Sequence, residues 1–391
     1  MSIPNLSAAL AAGIRPNTII LIGDSIMANN GDDEYSSLST TSPRPLNYAA
    51  NGIFSWANVF LRQQFKVLKN FGVGGWTTTQ ILTELGGVFS LPTLPGWALV
   101  EGGTNDLGST TDPDVVFGNL RTIHQRLQAA GIRSIATTLI PGTGRTTAQA
   151  LCVASVNQKL RDFCRDTGTP LVDIRAAVAD PSTGAYLAGT SDDGIHPNVN
   201  GAGRIGCAIA NVLRPMLPAL DTLVGDNSDN LNLLSNGAMI GSTGGVATSW
   251  TASGAGITSS KVASTDNEQA PWQQFVAAST SSLDFYSTFS TGYTAGTTAL
   301  QAEMEFEIDA GTTLTQLVLQ MYSNPNGGIG QCLFTSLTGQ TVWVPGFKLS
   351  GVLRTPPAVV STGTTLCYPV FHLAGFVGTV RVRKARVRVA T

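Results

Sequence analysis

The stretch TIILIGDSIMANN, residues 18–30, contains the sharpest change of character in the chain. A run of apolar residues ends at Gly23-Asp24-Ser25, and polar residues follow at once. An apolar run that stops at turn-forming residues is typical of a buried strand. Such a strand can end in a simple turn or present a nucleophile, and this short tripeptide alone does not decide between them.

Apolar runs of this kind alternate with helical patterns through the first 220 residues. The further runs predicted to be strands are 65–74, 96–103, 132–140 and 169–174. Segments with helical spacing lie between and after them, at 52–64, 78–85, 112–131, 147–168 and 198–217. Alternation of strands and helices predicts an α/β fold with a doubly wound parallel sheet. In such sheets, functional groups collect at the carboxyl ends of the strands.

The pattern changes from about Asp221 onward. Short segments separated by Gly, Ser and Thr alternate apolar and polar residues, at 300–309, 313–322, 341–349 and 378–390. Half-buried strands alternate in this way. We therefore predict an all-β, jelly-roll-like sandwich. The predicted boundaries are a catalytic domain at 1–220, a linker at 221–232 and the sandwich at 233–391.

The last predicted strand carries two arginine pairs, Arg381 with Arg383 and Arg386 with Arg388. Because the step between the pairs is three residues, a bulge near Lys384-Ala385 is needed to keep all four on one face. We interpret this face as solvated rather than as a ligand patch.

Composition excludes several classes of function. The chain of 391 residues has a net charge of −2, which gives no electrostatic case for binding nucleic acid or an anionic membrane. No apolar run approaches the roughly 20 residues of a membrane span. Residues 1–17 lack a basic n-region and a long apolar h-region, so we expect no signal peptide in the sequence as given; the alternative is one that was removed and replaced by a start Met. The five cysteines form no C-x-x-C pair, so we expect buried free thiols rather than a zinc site or a disulfide framework.

Three histidines restrict the choice of a catalytic base. His124 lies in a predicted helix, where a structural role is expected, and His372 lies in a predicted strand. His196 lies in SDDGIHPN (191–198), three residues after Asp193. One turn at that spacing brings the carboxylate to one imidazole nitrogen and leaves the other free to act as a base.

Ester hydrolysis needs a nucleophile, a base and donors for the developing oxyanion. Ser25 and His196 supply the first two. The glycine-rich segment 70–78 offers unencumbered backbone N–H groups, and 100–108 carries the side-chain amide of Asn105. All four segments lie at the predicted carboxyl edge of one sheet, so they can converge. On this interpretation, the first strand ends where it does because its tip reaches a shared site.

The ordered motifs GDS, GVGG, GTND and DGIHP resemble the SGNH (GDSL) hydrolase family over residues 15–220. The resemblance implies a flavodoxin-like sheet, with Ser25 as nucleophile, His196 as base and Asp193 as its orienting partner. It also implies an oxyanion hole made of the Ser25 N–H, the Gly75 N–H and the Asn105 amide. Neither a metal nor an organic cofactor is implied.

Two neighbouring residues are candidate substrate contacts. Trp76 stands where many members of the family have Asp, and it can form an apolar or sugar-stacking wall. Asp106 follows Asn105 directly. The alternative for Asp106, and for Asp24, is a local hydrogen bond that holds the loops.

The segment 230–250 more weakly resembles carbohydrate-binding jelly-roll modules and accessory domains of phage tail proteins. Aromatic residues of this half suit either sugar stacking or the core: Trp250, Trp272, Tyr286, Tyr293, Tyr322 and Trp343. We therefore expect the partner to be an acylated poly- or oligosaccharide, with assembly into a homo-oligomer or virion as a further option. The expected location is outside a cell or on a virion, with the cytoplasm as the alternative.

Three functions follow from these expectations. The first is a carbohydrate esterase that deacetylates an acylated polysaccharide, with a bacteriophage tail protein or depolymerase as one form that it can take. The second is a lipase or thioesterase acting on longer acyl chains. The third is a non-enzymatic attachment protein, against which the intact Ser, Asp and His set argues.

Overall fold

The structure is a computed structural model that describes residues 15–30, 44–220, 223, 225–264, 270–335 and 344–390. The described residues form two compact units, the first built from 15–30 and 51–218 and the second from 44–50 and the chain after 218. Most of the stretch interpreted as lacking a signal peptide, together with Trp343, lies outside the described residues.

The helices and strands are numbered in chain order. Up to residue 220 they are β1 (Arg15–Gly23), α1 (Ser25–Ala28), β2 (Arg44–Ala49), α2 (Ile53–Phe60), β3 (Lys66–Gly72), α3 (Thr78–Thr83), α4 (Leu85–Phe89), β4 (Pro95–Val100), α5 (Pro113–Ala129), β5 (Arg133–Thr137), α6 (Thr147–Thr167), β6 (Leu171–Val172), α7 (Ile174–Val178) and α8 (Val199–Leu213). Short 3₁₀ turns occupy Asn105–Gly108 and Arg214–Met216. The remaining strands are β7 (Thr251–Ser253), β8 (Ile257–Val262), β9 (Trp272–Tyr286), β10 (Ala299–Ile308), β11 (Gln316–Asn324), β12 (Gly327–Thr335), β13 (Leu349–Arg354), β14 (Ala358–Val359) and β15 (Leu366–Val389).

The first unit is a parallel sheet of five strands in the order β3-β1-β4-β5-β6. Side chains from both faces of β1 are buried, since Ile19 and Ile20 are each 0% exposed. Ile20 and Ile22 belong to an apolar core that also contains residues of α5 and α6. Helices α2 and α8 pack against each other. The predicted parallel α/β fold is confirmed.

Local signals in the sequence fix the ends of the two longest helices of this unit. Asp112 caps α5 by accepting a hydrogen bond from the Asp114 N–H, and Pro113 occupies the first helical position. Thr146 and Gln149 form a capping box at the start of α6. Gly168 ends α6 with φ +69°, a left-handed conformation that glycine adopts without strain.

The second unit is organised around the 24-residue strand β15. Its first part pairs antiparallel with β11, its last part pairs antiparallel with β10, and β9 pairs along its other edge. Register shifts fall between Leu373 and Gly378, where Gly375 (φ +58°) interrupts the regular strand. Strands β10 and β11 thus pair with successive stretches of β15, and they contact each other without pairing. The predicted antiparallel β domain is confirmed, and its jelly-roll arrangement stays a prediction.

Strand β2 differs from the predicted boundaries, which left all of 1–220 in the first domain. It pairs in parallel with β12 of the second unit, with Arg44 opposite Gly330 and Ala49 opposite Thr335. A six-residue strand whose partner lies far along the chain leaves no local signal of the unit to which it belongs.

The arginine pairs of β15 are only partly as predicted. The bulge is present, because Glu303 lies opposite Arg386 while Glu305 lies opposite Arg383. The interpretation as a solvated face is wrong, since Arg383 is 3% exposed and Arg386 is 7% exposed. Arg383 Nη2 lies 2.9 Å from Glu305 Oε1, and Arg386 Nε lies 2.8 Å from Glu303 Oε2. The acidic residues of β10 therefore neutralise this face.

The cysteines whose side chains are described are free thiols. Cys152, Cys164 and Cys367 are buried as predicted, whereas Cys207 is exposed. Among the helices described, none has the length and apolar character needed to cross a bilayer.

Candidate active site

Ser25 lies at the carboxyl edge of the parallel sheet, because β1 ends at Gly23 and α1 begins at Ser25. Asp24 caps this short helix, and its Oδ1 accepts a hydrogen bond of 2.9 Å from the Ile26 N–H. A Cβ atom at Gly23 would lie only 2.8 Å from the carbonyl oxygen of Glu101. Glycine and aspartate thus have local structural reasons to precede the serine.

The structure joins Ser25, His196 and Asp193 in one chain of hydrogen bonds. Ser25 Oγ lies 2.8 Å from His196 Nε2, and His196 Nδ1 lies 2.7 Å from Asp193 Oδ2. The other carboxylate oxygen, Asp193 Oδ1, accepts hydrogen bonds from the N–H groups of Ile195 (2.8 Å) and His196 (2.7 Å). The carboxylate therefore holds both the ring and the backbone of the histidine.

The pKa of Asp193 reflects these contacts. Partial burial acts to raise it, but the hydrogen bonds from the His196 ring and from the backbone N–H groups outweigh this effect and lower the pKa to about 2. The carboxylate is consequently ionised at any pH near neutral. An ionised partner favours the tautomer with a proton on Nδ1, which leaves Nε2 as the acceptor facing Ser25.

The loop that carries His196 is held by residues from other parts of the first unit. Gly194 has φ +76°, and a Cβ atom there would lie 2.6 Å from Thr143 Cβ. The Thr143 N–H donates to the Gly194 carbonyl (2.9 Å), and the Tyr186 hydroxyl donates to the Ile195 carbonyl (2.8 Å). These contacts hold the histidine without using its ring.

The glycine-rich segment forms a tight turn next to Ser25. The Trp76 N–H donates to the Val73 carbonyl (3.2 Å), and Gly75 has φ +82° at the third position of the turn, where glycine is preferred. A Cβ atom on Gly74 would lie 3.9 Å from Ser25 Cβ. Within the described chain, the Gly75 N–H makes no hydrogen bond, so it is available to a ligand.

Asn105 connects three of the predicted segments. It begins the 3₁₀ turn that follows β4, and its Nδ2 donates to the Trp76 carbonyl at 3.0 Å. The same nitrogen lies 3.4 Å from Asp24 Oδ2. The ends of β1, β3 and β4 therefore converge as predicted. The roles of Gly75 and Asn105 toward an oxyanion stay predictions.

The predicted role of Asp106 as a substrate contact needs correction. Its side chain is only 2% exposed, and its carboxylate accepts hydrogen bonds from the N–H (2.8 Å) and hydroxyl of Thr78, the first residue of α3. Contact with substrate is therefore the wrong role, and the alternative of holding the loops fits the structure. Trp76 is half-buried against the apolar core, and its role as a substrate wall stays a prediction.

Sequence reasoning missed Glu101, which is buried beside Asp24. Glu101 is 1% exposed and Asp24 is 0% exposed. Burial raises the pKa of Asp24, and burial together with the negative charge of Asp24 raises the pKa of Glu101 well above its usual value. Burial and the neighbouring carboxylate thus both favour the protonated form of Glu101. A carboxylate directly after the apolar strand WALV was the available signal.

In the part of the chain that the structure describes, no three His, Cys, Asp or Glu side chains form a group that could hold a metal ion.

A serine hydrogen-bonded to a histidine, which is in turn hydrogen-bonded to an aspartate, is the catalytic arrangement of serine hydrolases. Here it lies at the edge of a parallel α/β sheet. Residues 21–204 match the family of GDSL-like lipases and acylhydrolases. This segment is a GDSL-like lipase/acylhydrolase domain, a type of domain found in esterases.

Solved structures that resemble the chain share low sequence identity with it. A GDSL-like lipase from Bacteroides thetaiotaomicron is 18% identical, covering 51% of this chain and 89% of its own, with a TM-score of 0.40. The acetyl xylan esterase AlAXEase is 17% identical, covering 50% and 98%, with a TM-score of 0.39. The enzymatically active domain of Bacteriophage CBA120 tailspike protein 4 is 12% identical, covering 41% and 22%, with a TM-score of 0.30. No curated protein matches the chain.

Proposed function

We propose that this esterase removes short acyl groups, such as acetyl, from an acylated polysaccharide, with Ser25, His196 and Asp193 as its catalytic residues. The observation that carries the chemistry is the unbroken chain of hydrogen bonds, 2.8 Å from Ser25 to His196 and 2.7 Å from His196 to Asp193. This chain also argues against an inert attachment protein, which has no need of it.

The reaction begins when Ser25 Oγ attacks the ester carbonyl and His196 Nε2 takes its proton. The N–H groups of Ser25 and Gly75 and the amide of Asn105 donate to the oxyanion. His196 then gives the proton to the departing sugar oxygen as its bond to the carbonyl carbon breaks, which leaves an acyl group on Ser25. Water, deprotonated by His196, attacks this acyl-enzyme, and His196 returns the proton to Ser25 Oγ as the carboxylic acid leaves. Asp193 stays ionised throughout and stabilises the imidazolium.

The surroundings of the site favour a short acyl group over the long chains of a lipase or thioesterase. Along the segments that carry the site, the exposed large apolar side chains are Val73, at 37% exposure, and Ile195, at 46%. Gly74 and Gly75 add no side chain beside the serine. Two separate apolar side chains can contact an acetyl group, whereas a long acyl chain needs a continuous apolar surface. Action outside a cell or on a virion is part of the same proposal.

The test uses p-nitrophenyl esters from acetate to palmitate, together with acetate release from acetylated polysaccharides. Replacing Ser25→Ala or His196→Gln should lower kcat/KM by roughly 10³-fold or more. Ser90→Ala, at an exposed serine outside the site, is the control and should leave the rate unchanged. Near-normal hydrolysis by folded Ser25→Ala would contradict the mechanism, and a preference for palmitate would replace the short-acyl proposal with the lipase.

A further inference from the structure

The second unit contains an open groove of about 840 Å³ on one face of its sheet. Alternate residues of β15 line it, among them Tyr368, Val370 and His372. The residues between them, such as Phe371 and Leu373, are 0% exposed and belong to the core. The groove is thus the outer face of a sheet whose inner face is fully packed.

Three tyrosines cross the floor of this groove in a row. Tyr322 lies directly opposite Tyr368 in the pairing of β11 with β15, and their rings stack with centroids 5.3 Å apart and planes 8° apart. Tyr286 on β9 continues the row, 5.5 Å from Tyr368 and tilted by 47°. All three are half-buried, whereas Trp250 and Trp272 of the same unit are core residues. The tyrosines therefore present aromatic surface to a ligand.

Hydrogen-bonding side chains lie beside the aromatic row. Gln320 and Gln331 lie opposite each other on β11 and β12, and both line the groove. On β15 and β9, His372 and Asp284 also line the groove, and His372 Nδ1 lies 2.8 Å from Asp284 Oδ1. An amide offers both a donor and an acceptor, which is what a hydroxyl group needs in a partner.

The charge of the lining separates possible ligands. The groove residues that the structure describes include no lysine or arginine, and their ionisable groups besides tyrosine are Asp284 and His372. Nucleic acids and other polyanions require cationic groups, which this lining does not supply. Sugars present apolar C–H faces to aromatic rings and hydroxyls to amides, and the lining offers both kinds of partner.

We propose that this groove of the second unit binds a segment of a neutral polysaccharide. The choice of polymer rests on the proposed function, since the glycan held here would be the one that carries the ester. The groove supplies affinity for the polymer, while the hydrolysis of small esters depends on the first unit alone.

The test measures binding by the full-length Ser25→Ala protein, which cannot consume an ester. A glycan array of bacterial and plant polysaccharides identifies the polymer, and calorimetry then gives its Kd. Combining Tyr322→Ala with Tyr368→Ala should raise this Kd at least tenfold, equivalent to about 1.4 kcal/mol. Gln320→Ala is a milder second variant that should weaken binding in the same direction if the double variant does not fold. Tyr293→Ala, at a half-buried tyrosine outside the groove, is the control.

The same groove variants with Ser25 intact should hydrolyse p-nitrophenyl acetate at the normal rate. An unchanged Kd in folded variants, or the absence of binding to any glycan on the array, would overturn the groove proposal. Failure of the esterase proposal is visible separately, as hydrolysis that survives Ser25→Ala.

Discussion

At the scale of single residues, the two oxygens of Asp193 do different work. Oδ1 accepts from backbone N–H groups, and Oδ2 accepts from the imidazole of His196. Asparagine can replace the first contact but cannot accept a proton from Nδ1 if its amide nitrogen faces the ring. Asp193→Asn should therefore lower kcat/KM roughly 10²- to 10⁴-fold while the protein stays folded.

Since the pKa of Asp193 is about 2, its ionisation does not cause any acid limb of activity seen from about pH 4 to 9. The loss in Asp193→Asn should thus be equal across this range in a pH profile of p-nitrophenyl acetate hydrolysis. Asp192→Asn, at the exposed neighbouring carboxylate, should be nearly silent. If Asp193→Asn kept the maximal rate of the wild type and only shifted the acid limb of the pH profile, the assigned role of Asp193 would be wrong.

The burial of Glu101 should make the free energy of unfolding depend on pH. Its pKa in the folded protein is raised well above 4.5 by burial and by Asp24. The unfolded chain loses this proton at lower pH, so the stability that Glu101 contributes is present below about pH 4.5 and falls as pH rises toward the folded pKa. Glu101→Gln, which mimics the protonated acid, should make the free energy of unfolding fall less between pH 5 and 8.

Urea unfolding of the first unit at several pH values measures this change. Glu84→Gln, at an exposed glutamate, should leave the slope as it is in the wild type. An identical slope in Glu101→Gln would mean that the pKa of Glu101 is not raised in the folded protein as described.

At the scale of elements, α5 buries His124 at 1% exposure, and this burial lowers its pKa from 6.5 to about 4. Between these values the unfolded chain binds a proton that the folded protein does not, so stability decreases as pH falls from 6.5 to 4. His124→Phe should remove a change of about 3 kcal/mol across this window. Urea unfolding of the wild type and of His124→Phe at pH 7 and 5 measures this change, of which about 2 kcal/mol falls between these two pH values. Equal slopes in wild type and His124→Phe would contradict the prediction.

The buried pair of β15 and β10 makes a second prediction at this scale. Arg386→Met leaves Glu303, which is 4% exposed, without its main cationic partner and should cost about 3–5 kcal/mol. Replacing both residues by Met should recover most of that loss. Lys348→Met, which breaks a pair whose lysine side chain is 57% exposed, should cost less than about 1 kcal/mol. Calorimetry measures the unfolding of the second unit in the three variants. A double variant no more stable than Arg386→Met would argue against a desolvated ion pair.

Elements with local signals could be predicted, whereas features that depend on distant pairing could not. The apolar run before Ser25 and the capping residues of α6 act within a few positions, so strand and helix follow from the sequence. The burial of Arg386 depends on acidic residues of β10, which only the strand register brings opposite it. The pairing of Glu101 with Asp24 likewise requires β1 and β4 to be neighbours.

The candidate catalytic residues could be predicted because each lies in a short motif with a particular chemistry. Asp106 was misjudged for the opposite reason. An aspartate beside Asn105 looks the same in the sequence whether it faces solvent or caps α3, and only the fold shows that Thr78 occupies its carboxylate.

At the scale of the whole molecule, β2 lies in the second unit although it is encoded inside the first. Replacing 44–49 by a Gly/Ser segment of equal length should remove its pairing with β12 and lower the Tm of the second unit. The first unit keeps Ser25, His196 and Asp193, so hydrolysis of p-nitrophenyl acetate should persist. Calorimetry and the ester assay together check this expectation. An unchanged Tm would mean that β2 adds no stability.

The position of β2 in the sequence also means that it is synthesised long before its partner strand β12. Roughly 290 residues separate Arg44 from its partner Gly330, so at about 5–20 residues per second the ribosome needs about 15 to 60 s to supply the missing strand. During that interval the backbone groups of β2 have no partner strand, so they can pair with other nascent chains on the same messenger RNA. Pro45, which has no N–H to donate, makes such premature association less favourable.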